Sequence, residues 1–278
     1  TTNAADHIII THTDFTSAAY TLRDYRVGLG LRSVAVDVQD VYDEFSYGIM
    51  DPVAIHDFLE YTYESWESPA PSYVVLVGDG NYDPKNYTGF DGTSFIPPYL
   101  LNIDPWIGET AADNRYVTVS GTDLMPDLML GRLSVNSAVE ADAIVAKIIA
   151  YEQTPPSGTW QSQILSVTDN ADSGGNYPLL ADNLTTCCMP PSYSIEKIYF
   201  GITHTDKTAA QNAVKTGYGK LIVNYIGHGY SYGWASESLF TTSTVPSLPN
   251  GAQQPIVLPM TCMEGYFIIP DPLYSAVG

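Results

Sequence analysis

Basic residues are scarce in this 278-residue chain. Its 6 Lys and 5 Arg stand against 21 Asp and 10 Glu, a formal net charge of −20. Phosphate binding draws on a basic footprint, so the composition argues against nucleic acid and against an anionic membrane surface. Cysteine is scarce too. Cys187, Cys188 and Cys262 are an odd set with one adjacent pair, which is no disulfide framework. Adjacent cysteines rarely bridge each other, because the ring they close is strained. No apolar run approaches the roughly 18–20 residues of a membrane span; the longest, such as Leu221–Ile226, have strand length. Thr1 to Asp6 show no charged n-region or apolar h-region, so a leader either never existed or has been removed. His7, His12, His56 and His204 share no zinc-ligand spacing. Gly78-Asp79-Gly80 lacks the Lys and Ser/Thr of a phosphate loop. No Gly-x-Ser-x-Gly elbow marks a small-molecule α/β hydrolase.

What is present is a hydrophobic content of 45%, enough for a sizeable core, with strand-length and helix-length segments alternating over almost the whole chain. His7–Thr11, Ser33–Val38, Tyr73–Val77, Arg115–Val119 and Leu128–Leu130 read as strands. Helices are expected around Thr16–Val27, from Pro52 to about Ser65 behind an Asp51 cap, and over Ala138–Tyr151. Residues 78–112, rich in Gly, Pro, Asn and Asp, read as a long surface excursion. Thr154-Pro155-Pro156-Ser157-Gly158 is the best boundary in the chain. The pattern then restarts: strands at Ile164–Thr168, Ile195–Tyr199, Leu221–Ile226 and Ile256–Met260, helices at Tyr177–Cys188 and Thr205–Thr216. Continuous apolar strands alternating with helices imply parallel sheets covered on both faces. The expected architecture is α/β in two lobes, residues 1–154 and 159–278, each a mainly parallel sheet flanked by helices.

In such sheets, ligands bind beyond the carboxyl ends of the strands. Leu221–Ile226 runs into Gly227-His228-Gly229, Ile256–Met260 into Thr261-Cys262, and Ile164–Thr168 into Asp169, with Asp172 three residues on. If these strands are neighbours, a thiol, an imidazole and a carboxylate share one rim. That is the inventory for thiolate catalysis: Cys262 attacks, His228 carries the proton, and an acid orients the ring. Glycines on both sides of His228 let the backbone approach a ligand, and the amides of Gly229 and Cys262 are candidate donors to an oxyanion.

The stretches Leu221-Ile-Val-Asn-Tyr-Ile-Gly-His228-Gly-Tyr-Ser-Tyr-Gly-Trp234 and Pro255-Ile-Val-Leu-Pro-Met-Thr-Cys262-Met-Glu-Gly-Tyr-Phe267 resemble the gingipain-type cysteine endopeptidases, of the larger clan of caspases and legumains. Tyr73–Asp79 and Met129-Leu-Gly-Arg132-Leu-Ser extend the likeness upstream, so that it covers roughly residues 7–270. The resemblance implies two caspase-like lobes of which only the second is catalytic. It implies Cys262 as nucleophile, His228 as general acid/base, and Gly229 and Cys262 as the oxyanion hole. The acid follows the first strand of the second lobe; Asp169 is the first choice and Asp172 the reserve. A basic-residue pocket would draw on the stretch Ser173-Gly174-Gly175-Asn176-Tyr177, which carries no acid. Trp234, Tyr230 and Tyr232 are candidates for an aromatic substrate wall instead.

The same resemblance implies a secreted or cell-surface enzyme acting on protein or peptide substrates, with no cofactor for catalysis. It also implies structural Ca²⁺. Asp79 and Asp83, with Asp91, Asn81 and Asn86, are oxygen donors of the kind Ca²⁺ prefers, although no EF-hand spacing is present. Catalytic domains of this family continue past the cysteine through at least one more strand and helix. Here only 278 − 262 = 16 residues follow, so a second chain or a C-terminal segment is expected to complete the lobe. The rival expectation is a catalytically silent scaffold, serving adhesion or secretion.

Overall fold

Two four-stranded parallel sheets carry the chain in the computed structural model, which describes residues 3–271. Within that span, residues 3–149 with 267–271 form one compact unit and residues 150–266 another.

The first unit runs β1 (His7–Thr11), α1 (Thr16–Gly28), β2 (Ser33–Asp37), α2 (Val38–Phe45), α3 (Pro52–Ser65), β3 (Tyr73–Val77), β4 (Leu100–Asp104), β5 (Gly108–Ala111), β6 (Met129–Leu133) and α4 (Ala138–Gln153). Its sheet order is β2-β1-β3-β6. Side chains alternate across a strand, so Ile8 and Ile10 join Val41, Ile55 and Leu59 of α2 and α3, while Ile9 joins Leu22, Ala141 and Val145 of α1 and α4. With both faces covered, β1 is buried along its whole length.

Local chemistry explains where the sequence reading slips. Val38 opens a helix rather than ending a strand, because the Asp37 side chain accepts the Gln39 N–H and caps α2. Arg115–Val119 is not a strand. Asp113–Val117 forms a 3-10 turn that buries Tyr116 and Val117, so an apolar run here marks burial without pairing. The 78–112 excursion contains the antiparallel pair β4–β5. Residues 267–271, read as part of the second lobe, belong to the first unit. There the Arg132 guanidinium lies 5.0 Å from the Phe267 ring centre, and Tyr82 N–H donates to the Ile268 carbonyl.

The second unit holds β7 (Gln163–Thr168), α5 (Tyr177–Cys188), β8 (Ser194–Tyr199), α6 (Lys207–Gly217), β9 (Ile222–Ile226), β10 (Gly229–Tyr230), β11 (Gly233–Trp234), β12 (Phe240–Thr241) and β13 (Ile256–Met260). Strand order is β13-β9-β7-β8, with β10-β11-β12 as a small antiparallel sheet. Leu165, Val167, Val223 and Tyr225 pack with Ala210 and Val214 of α6 and with Trp234 and Phe240. Helix α5 packs on β7 and β9. From β7 the chain goes one way to β8 and then returns to β9 on the other side. The loops after β7 and β9 therefore part, leaving the crevice typical of a topological switch point. Cys187 and Cys188, at the end of α5, are joined to each other despite their adjacency.

Candidate active site

Register brings Cys262 and His228 to the ends of neighbouring strands. β13 pairs with β9 in parallel, Ile256 opposite Ile222 through Met260 opposite Ile226, an offset of 256 − 222 = 34 residues. The separation 262 − 228 is also 34, so Cys262 and His228 stand two residues beyond the last paired position on neighbouring strands. Adjacent strands lie about 4.8 Å apart. The two loops touch: a Cβ on Gly229 would collide with Thr261 Oγ1 and the Cys262 carbonyl. Cys262 is a free, exposed cysteine.

The two candidate acids take different positions around His228. Asp172 Oδ2 lies 3.0 Å from His228 Nε2, whereas Asp169 reaches the His228 backbone, accepting its N–H at 3.4 Å. Asp169, the first choice from sequence, thus does not touch the ring. It continues directly from β7 and turns inward, where burial pushes its carboxyl above the ordinary range. Asp172 instead sits in a tight turn bridged to Gly175, with the Gly174 N–H donating to Oδ1 at 2.7 Å. That N–H, first, and the contact with His228 hold the Asp172 carboxyl below its usual range despite some desolvation. Gly174 leaves no room for a side chain, since a Cβ there would press on Tyr177 Oη, Asp172 and His228 Cε1. The pair is open to solvent, with His228 51% and Asp172 37% exposed.

Tyr177 was not singled out from sequence. Its hydroxyl lies 3.0 Å from His228 Nε2 and its ring meets the imidazole edge-on, centroids 5.5 Å apart. Burial first, then the charges of Asp172 and Asp169 and a contribution from Cys262, raise the phenol above its ordinary range, so it stays neutral. The residue opens α5, where Asn176 caps the helix by accepting the Leu179 N–H. Capping pattern predicts the helix start; nothing in the sequence predicts that the first side chain folds back on His228.

The His228 backbone is held from beneath. Its carbonyl accepts from Tyr225 Oη at 2.6 Å and from Ala235 N–H at 2.7 Å. The latter bond makes Gly229 and Trp234 a non-hydrogen-bonded pair of the β10–β11 ladder, so the ladder does not use the Gly229 N–H. Trp234 is 0% exposed and stacks on Tyr225 with centroids 4.6 Å apart, while its Nε1 donates to Glu264 Oε2 at 3.1 Å. A fully enclosed ring cannot line a substrate wall, so Trp234 is a floor under the loop. Tyr230 and Tyr232 are 37% and 51% exposed. Burial pushes the Glu264 carboxyl up to about 7, and its Oε1 is buried without a partner.

The expected calcium donors lie in the first unit. Asp83 accepts Tyr87 N–H, Thr88 N–H and Thr88 Oγ1–H, so its oxygens face donors. Asp91 is tied to Asn86. Asp79 Oδ2 takes Asn136 Nδ2–H, leaving Oδ1 buried and unpartnered. Ca²⁺ needs six to eight oxygens around it, and these side chains as placed do not present such a cradle.

Comparison with known proteins shows what the chain resembles as a whole. Gingipain R2 of Porphyromonas gingivalis is 26% identical over 265 residues, covering 91% of this chain and 31% of that protein. Gingipain R1 of the same organism is 26% identical over 265 residues, covering 91% and 23%. The chain thus spans less than a third of the length of these relatives. A solved structure described as a protease aligns with 99% of this chain and 56% of its own at a TM-score of 0.67 and 20% identity, which shows a shared fold. The model of peptidase family C25 matches residues 1–275, and the chain belongs to that family.

Proposed function

We propose that the second unit is the catalytic part of a cysteine endopeptidase, with Cys262 as nucleophile and His228 as general acid/base. The observation that carries this reading is the shared offset of 34 residues, which sets Cys262 and His228 side by side at the carboxyl ends of paired strands. Asp172 and Tyr177 both meet Nε2. An ionised Asp172 favours the N–H on that nitrogen and leaves Nδ1 to work on the substrate. Cys262 Sγ adds to the scissile carbonyl as its proton moves to Nδ1, and that proton passes to the amine as the C–N bond breaks. Water then attacks the thioester, giving a proton to Nδ1 that returns to sulfur as the C–S bond breaks and the peptide carboxylic acid leaves. Negative charge on the carbonyl oxygen is met by the N–H groups of Gly229 and Cys262, worth about 3–4 kcal/mol per donor. Tyr230 and Tyr232, exposed beside the loop, supply an apolar wall for substrate.

Polypeptides are the substrate class. We place the enzyme in an oxidising compartment, outside the cell or at its surface, a reading supported by the Cys187–Cys188 disulfide. No helix among the described residues is long and apolar enough to cross a membrane. Hydrolysis of an unbiased peptide library tests the proposal: Cys262→Ala should abolish it and His228→Ala nearly so. Full activity in the Cys262 variant overturns it.

A further inference from the structure

Helix α3 of the first unit carries a second group of ligating side chains, which the proposed chemistry does not use. His56, Asp57 and Glu60 place one ligand atom each within 4.8 Å of one another. His56 and Glu60 are four residues apart and so share a helix face, and Asp57 reaches across to them.

A neutral His56 ring cannot donate to both of its neighbours. His56 Nε2 stands 3.3 Å from the Thr118 carbonyl oxygen, and Nδ1 stands 3.2 Å from Asp57 Oδ1. Both neighbours are acceptors, and a neutral imidazole has a single N–H. If that hydrogen serves Thr118, the Nδ1 lone pair faces a carboxylate lone pair, with Glu60 adding a second carboxylate beside it. Neither acid has a Lys or Arg ion-pair partner among the described residues. A divalent cation between these atoms meets the Nδ1 lone pair and both carboxylates at once. Thr118 is not part of helix α3. It follows the 3-10 turn Asp113–Val117 and fixes the ring from outside, as metal-bound histidines are fixed by a carbonyl on their other nitrogen.

We propose that His56 Nδ1, Asp57 and Glu60 bind one divalent transition-metal ion of the zinc and cobalt class, with water completing its shell. One imidazole and two carboxylates suit those ions, whereas Ca²⁺ and Mg²⁺ prefer oxygen alone. The ion holds α3 to the segment at Thr118 and is independent of the peptidase reading.

Co²⁺ titration followed by visible absorption tests this. Cys262→Ala serves as the background, which removes the competing thiol, and excess Mg²⁺ occupies oxygen-only sites. One Co²⁺ per chain is expected, displaced by Zn²⁺ and weakened about tenfold or more in both His56→Gln and Glu60→Gln. Glu60→Gln leaves the Thr118 contact intact, and its circular dichroism checks the fold. Unchanged affinity in both variants overturns the proposal. So does an absence of Co²⁺ binding to the folded chain.

Discussion

Asp172 Oδ2 lies 3.0 Å from His228 Nε2, while Asp169, three residues nearer the strand, touches only the His228 backbone. The two acids are therefore assigned different work. Asp172→Asn should lower kcat about 10²-fold or more without unfolding the protein. Asp169→Asn should lower the melting temperature and disturb kcat less. Tyr177→Phe should shift the pH profile of kcat/KM, because it removes one of the two partners of Nε2. Equal losses of kcat in the two Asn variants, with unchanged melting temperatures, would contradict the assignment.

Gly229 is a point of contact between the two loops. Any Cβ there meets Thr261 Oγ1 and the Cys262 carbonyl. Gly229→Ala should push the two loops apart, costing about 1–3 kcal/mol of stability and most of the activity. Calorimetry beside a peptide assay checks both, and wild-type behaviour in each would show that the loops do not touch.

Trp234 and Tyr232 separate floor from wall. Trp234→Ala empties a fully buried site and should cost about 3–5 kcal/mol, while also leaving Glu264 Oε2 without its donor. Tyr232→Ala should leave the melting temperature alone and raise KM. Denaturant unfolding and steady-state kinetics on the pair would expose a reversed pattern.

Glu264 sets a pH dependence. An unfolded glutamate titrates near 4.5 and the folded one near 7, so between those values the folded state holds a proton that the unfolded state releases. Stability from this group is complete below pH 4.5 and is lost as pH rises through 7. The urea midpoint of Glu264→Gln should therefore rise relative to that of the wild type as pH goes from 5 to 8. Parallel slopes would show that Glu264 is not the group responsible.

The strands that carry the site were legible because each is an apolar run ending in a chemically distinct loop: Ile226 before Gly227-His228, Met260 before Thr261-Cys262. Their neighbourhood was legible only through resemblance, since spacing along the chain does not state which strands pair. The choice between Asp169 and Asp172 was hidden in the turn at Asp172–Gly175, whose hydrogen bonds reach forward in the chain and send one carboxylate outward. Tyr177 was hidden for a similar reason, as a cap predicts a helix start but not where its first side chain points. Trp234 was misread because an aromatic near a reactive histidine looks the same in sequence whether it lines a pocket or supports one. Helix α2 was missed because it begins with no connecting turn after β2.

Covalent trapping is the most direct test of Cys262 as a nucleophile activated by His228. Folded protein is treated with a peptidyl chloromethyl ketone and the adduct is mapped by peptide mass spectrometry. One adduct per chain on Cys262 is predicted, forming about 10²-fold or more faster than in the His228→Ala variant. Labelling of Cys262 at the same rate in the urea-unfolded chain, or an adduct on another residue of the folded protein, would contradict the account.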